Sequence, residues 1–172
     1  MASKHSLVLR VLAVAMVFGA LVPALAAENP QQLRIGHAAI AEVRSEKVMP
    51  LWSEASLIRF LESALTASDD PRLRGKLDSA RIERDGGRYF LVGRGRNELG
   101  SCLTPSIQLE PGSEVIPAAA AIHVIRIEAC VGTTCPQTGC ITTRGEDGHI
   151  TDCSCLPAGE CNKVILVIPI PF

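Results

Sequence analysis

The first 101 residues of this 172-residue chain contain no cysteine; all seven lie from Cys102 onward. That excludes a lipid-bearing cysteine directly behind an export leader. Other absences narrow the field further. No C-x-x-C pair occurs, the spacing with which thiol oxidoreductases depress one thiol's pKa at a helix start. No H-E-x-x-H helix is present to hold a catalytic zinc, and no G-x-S-x-G elbow to expose a nucleophilic serine. Gly93-Arg94-Gly95 follows the apolar run "YFLV", but the next glycine is Gly100, and neither a Walker lysine nor a helical pattern comes after it. These glycines are expected to break a strand instead of cradling phosphate. No repeat, heptad or low-complexity tract is found. No catalytic residue is assigned, and a non-enzymatic role is favoured.

What is present begins with a leader. Lys4 and Arg10 precede sixteen uncharged residues, "VLAVAMVFGALVPALA", and Ala24-Leu25-Ala26 offers the small-x-small pattern cut by signal peptidases. The run is shorter than the roughly 20 residues of a bilayer span, and Pro23 interrupts its end. Residues 1–26 are therefore read as a cleaved signal peptide. Residues 27–172 are expected to form a single domain, periplasmic or extracellular, with no membrane span.

Lys4 and Arg10 leave with the leader, so 15 basic residues face 18 acidic ones, a net charge of −3. No affinity for nucleic acid is expected. The charges are unevenly placed: residues 72–96 hold eight basic residues against Asp78, Glu83 and Asp85, while from Gly100 onward seven acids face Arg126, Arg144 and Lys163. The basic stretch is read as a solvated hairpin face, with an anionic partner as the alternative.

Hydrophobic spacing supplies the elements. Residues 27–33 are polar and expected to fray, and "RIGHAAIAEVRSEKV" fits a strand or a helix. Ser53 stands as N-cap before a stretch with Leu57, Phe60, Leu61, Ala64 and Leu65 on one face, and Glu54, Arg59 and Glu62 on the wet one. "ARIER" and "RYFLVG", joined by Asp85-Gly86-Gly87, read as a β-hairpin, and Pro111-Gly112 as a turn. "AIHVIRIEA" alternates, placing His123, Ile125 and Ile127 opposite Val124, Arg126 and Glu128. His123 is read as a core histidine. Val164–Ile168 reads as a strand covered on both sides, ended by Pro169. The fold class expected is α+β: one amphipathic helix packed on a mainly antiparallel sheet, with a disulfide-tied C-terminal hairpin module.

Six cysteines crowd into residues 129–161: Cys130, Cys135, Cys140, Cys153, Cys155 and Cys161. An exported chain meets an oxidising compartment, where disulfides persist, so all six are disulfide candidates. "CITTR" and "HITDC" flank a four-residue connection, Gly145 to Gly148, and pairing Arg144 with His149 sets Cys140 opposite Cys153, within the reach of a disulfide. Seven is odd, which leaves Cys102 as the obvious unpaired thiol, to be buried and inert or to join two chains in a disulfide-linked dimer, unless it pairs into the cluster and frees another cysteine. The acids near this turn, Glu146, Asp147 and Asp152, lack the spacing of a calcium loop.

The reading is a small exported, disulfide-stabilised protein with a binding or structural role toward an extracytoplasmic partner, without a cofactor. One alternative is a metal-binding protein holding Zn or Cu through Cys140, Cys153, Cys155 and His149, a mixed nitrogen and sulfur set. A second is thiol-disulfide chemistry through Cys153 and Cys155.

Overall fold

The computed structural model describes residues 30–112, 123–133, 140–154 and 160–170. The chain order is β1 (Gln31–Ile35), β2 (Ala38–Arg44), β3 (Lys47–Pro50), α1 (Glu54–Thr66), β4 (Gly75–Asp85), β5 (Arg88–Asn97), β6 (Cys102–Gly112), β7 (His123–Gly132), β8 (Ile141–Arg144), β9 (Ile150–Ser154) and β10 (Cys161–Ile170). The fold is thus a mainly antiparallel sheet with one helix.

β6 is the branch point. It pairs with β5 along Cys102–Leu109 and with β7 along Cys102–Ile107, and its last residues, Glu110–Gly112, pair with β1. β4 and β10 extend the sheet beyond β5 and β7, and β2 and β3 extend it beyond β1. The short β8–β9 pair forms a sheet of its own.

The ambiguous N-terminal stretch resolves as β1 to β3. Gln31, Gln32 and Leu33 do not fray: all three pair with β2, Gln32 and Leu33 also with β6, and Leu33 is fully buried, because one apolar side chain facing the core anchors the polar residues beside it. The helix forms where its spacing predicts. The Ser53 hydroxyl accepts the Ser56 N–H at 3.2 Å, and Leu57, Leu61 and Leu65 are buried. Its polar face does more than meet water. The Glu62 carboxylate accepts the Leu77 N–H at 2.9 Å and Glu54 accepts that of Ala80 at 3.3 Å, on either side of the register shift between Leu77 and Ser79.

Three strand expectations are corrected. β5 runs through Gly93 and Gly95 to Asn97: a Cβ on Gly93 would lie 2.8 Å from Leu77 Cδ1 and 3.0 Å from Leu61 Cδ1, so the missing side chain lets α1 and β4 close on the strand. Pro111-Gly112 is the paired end of β6, not a turn. β10 is the last strand of the sheet, covered on one side only, with Ile165 and Val167 exposed and Val164, Leu166 and Ile168 against the core. An outermost strand tolerates proline, and the pairing accordingly continues through Pro169 to Ile170.

The sheet has a covering on each face. On one face α1 and the odd-numbered residues of β6 and β7 (Leu103, Ile107, Leu109, Ile125, Ile127, Ala129) form the main core. On the other, the even-numbered Cys102 and Cys130 join Cys140 and Ile150 in a second buried cluster beneath β8 and β9, with Cys153 and Cys161 at its margin. The strand period of two therefore serves two cores at once.

Candidate functional site

The β8–β9 pair is fastened to the sheet by a covalent bond and an ion cluster. Cys130 on β7 is bonded to Cys153 on β9, with Cα atoms 5.7 Å apart and a sequence separation of 23. The Cys140–Cys153 pairing expected from the sequence is not formed, because the hairpin register is displaced. Ile141 faces Ser154 and Thr142 faces Cys153, and a shift between Thr143 and Arg144 sets Arg144 opposite Ile150. The cause lies in the turn, where the Gly145 N–H reaches the His149 carbonyl and the Gly148 N–H the Gly145 carbonyl, each at 2.9 Å. His149 is thereby left outside the ladder.

Cys102, the obvious candidate for the unpaired thiol, is fully buried and disulfide-bonded, which is the alternative in which it pairs into the cluster; Cys140 and Cys161 are disulfide-bonded too, and among the described residues no cysteine is free. Burial beside the other sulfurs of the second cluster is what puts Cys102 within reach of one. Cys135 and Cys155 lie outside the described residues, as does the side chain of His123. Of the mixed set Cys140, Cys153, Cys155 and His149, the described members do not stand as four ligands. Cys153 is bonded to Cys130, Cys140 is oxidised, and His149 Nδ1 rests on a carboxylate. An oxidised sulfur offers no thiolate to a metal or a substrate.

That carboxylate is Glu128, which alternation places on the strand face opposite Ile125 and Ile127 but which is only 4% exposed. Arg126 donates to Oε1 from Nε at 2.9 Å and from a terminal nitrogen at 2.8 Å, His149 approaches it at 3.1 Å, and Lys163 at 3.5 Å. Its second oxygen accepts the Ile150 N–H, and Lys163 donates to the Ile150 carbonyl. Burial favours the neutral acid, but the Ile150 N–H, the Arg126 hydrogen bond and the charges of Lys163 and Arg126 outweigh it. The carboxyl is held below the ordinary glutamate value.

Arg144 makes a second fastening. Its guanidinium lies 3.7 Å from the centre of the Phe90 ring, donates to the Ser106 hydroxyl at 2.6 Å and to the Gly148 carbonyl at 3.2 Å, and stands 3.8 Å from Asp85. Burial lowers its pKa, opposed by the charges of Asp85, Glu128 and Glu83. Cys140 adds a backbone N–H to the Thr104 hydroxyl at 3.2 Å, and Arg88 reaches the Glu146 carbonyl at 2.8 Å. Gly148, at φ +84°, allows the tip to sit this low: a Cβ there would fall 2.6 Å from Gln108 Oε1. Glu128, Thr104, Ser106 and Arg144 were not singled out from the sequence. The signal available was Cys102-x-Thr104-x-Ser106 alternating with Leu103, Pro105 and Ile107, a strand with no face that reads as solvent.

Beside the hairpin tip, where β6 stops pairing with β7 and begins pairing with β1, a cleft of about 320 Å³ opens. Arg34, Glu110, Val124, Arg126, Asp147 and His149 line it, together with Ile35, Ile107 and Ile125, which belong to the main core. Asp147 accepts the His149 N–H at 2.9 Å, which holds its carboxyl below the usual range. The basic stretch at residues 72–96 makes no comparable site. Its Arg72, Arg74, Lys76, Arg81, Arg84 and Arg94 pair with Asp70, Glu98, Glu62, Glu83, Glu46 and Glu83 respectively.

Among the described residues no helix is long and apolar enough to cross a membrane, and no cluster of His, Cys, Asp or Glu has the grouping of a metal site. Comparison with protein families, with curated proteins and with solved structures finds no match for the chain.

Proposed function

We propose that the chain is a small exported protein with a binding role, in which oxidised cysteines fasten the β8–β9 hairpin over one face of an antiparallel sheet so that its tip forms one wall of a binding cleft. The observation that carries this reading is the Cys130–Cys153 bond, together with the absence of a free thiol among the described cysteines. Disulfides of this kind form and persist outside the cytosol, which agrees with the leader-like residues 1–26. The hairpin is too short to be stable alone in water, so a crosslink and a buried ion cluster are what a two-stranded element needs to become a rigid wall. A binding role is supported by the cleft beside it, lined by side chains of both signs.

Intact mass of the purified native protein, with and without alkylation, is the test. The expected species begins after Ala26, lacks two hydrogens for each of three disulfides, and takes up one alkyl group without reduction. A correctly exported protein that takes up six or seven alkyl groups without reduction would overturn the reading.

A further inference from the structure

We propose that the cleft between the hairpin tip and the end of β1 is a binding site for a small zwitterion of the α-amino acid class. Both signs of charge stand on its lining, Arg34 and Arg126 against Glu110 and Asp147, with His149 beside them. A multiply charged anion such as phosphate would gain the arginines but meet two carboxylates; a ligand carrying one carboxylate and one ammonium group satisfies both sets. The size agrees, since about 320 Å³ falls at the small end of ligand sites, too small for a macromolecular segment of any length. The exposed Val124 on the lining offers an apolar contact to a short aliphatic side chain.

Glu128 gives the site a fixed form. It engages Arg126 through Nε and one terminal nitrogen, and His149 through Nδ1. The other terminal nitrogen of Arg126 and Nε2 of His149 take no part in these contacts with Glu128, and both residues line the cleft. A carboxylate 4% exposed therefore acts as a positioning residue for two ligand-facing groups, and does so from beneath a crosslinked hairpin.

The test is titration of the native protein, disulfides intact, followed by backbone amide NMR. Leucine is the probe, with N-acetylleucine lacking the ammonium charge, leucinamide lacking the carboxylate, and inorganic phosphate alongside. The expected result is that leucine at millimolar concentration shifts Gly36, Gln108, Val124 and His149, while either half-charged analogue binds about tenfold or more weakly. Arg34→Gln and Glu110→Gln, neither of which touches Glu128 or the disulfide, are each expected to weaken leucine by a similar factor. No shift in these residues, or N-acetylleucine or phosphate binding as well as leucine, would overturn the site. The proposal rests on the binding reading above, and a negative titration on protein whose disulfides are intact would sink the site while leaving the covalent account standing.

Discussion

Replacing Glu128 by glutamine keeps an acceptor for the Ile150 N–H but removes the negative charge on which Arg126, Lys163 and His149 converge. Arg126 and Lys163, both partly exposed, would then lose their counter-charge, and Glu128→Gln is expected to cost about 1–3 kcal/mol of stability, read from denaturant unfolding. The pH dependence has a definite sign. Because the folded-state carboxyl sits below the ordinary value of 4.5, its contribution is complete above that value and is lost as pH falls through the lowered one. The unfolding midpoint of the native protein should therefore drop on acidification below about pH 4.5, and the Glu128→Gln protein should drop less. At Arg144 the planar guanidinium does two things an ammonium cannot do together, stacking on Phe90 and donating to both Ser106 and Gly148. Arg144→Lys is expected to recover less than half of the roughly 1–3 kcal/mol lost in Arg144→Ala. Full recovery by lysine would show that charge alone matters.

Among elements, β8–β9 depends most on its fastenings. The loop closed by Cys130 and Cys153 gives about 3 kcal/mol on the chain-entropy model. A Cys130→Ser, Cys153→Ser double variant should lose that amount and become cleavable by trypsin at Arg144 while the α1 core stays protected. Simultaneous cleavage in both regions would contradict two separately buried clusters. β5 offers a second test. Gly93→Ala puts a methyl group 2.8 Å from Leu77 and 3.0 Å from Leu61, and is expected to cost about 1–3 kcal/mol. A neutral outcome would mean that the strand does not carry α1 as closely as described.

The helix was legible from sequence because Ser53 and the three- and four-residue spacing of its leucines are local signals. β4–β5 was legible from Asp85-Gly86-Gly87 for the same reason, though its length was not, since glycines that break an exposed strand are what a closely packed one requires. The wall over the second cluster was not legible. Its register depends on a shift at Arg144, and Glu128 is polar yet buried, because its partners Ile150, His149 and Lys163 lie 21 to 35 residues away. Alternation alone assigns such a residue to solvent.

At the scale of the whole molecule, charge is lopsided along the chain but balanced in space, since acids from α1, the β2–β3 turn and the loops meet the basic stretch of β4 and β5. Two buried clusters on opposite faces of one sheet then make the β8–β9 hairpin a covering layer of that sheet. Disulfide mapping of the native protein by tandem mass spectrometry tests that arrangement most directly. Trypsin cuts after Arg126, Arg144 and Lys163, leaving fragments 127–144 and 145–163 with three cysteines each, so the bond must be located by fragmentation within the joined pair. A bond between Cys130 and Cys153 is the predicted result; Cys153 joined to Cys140, or recovered as a thiol, would contradict the account.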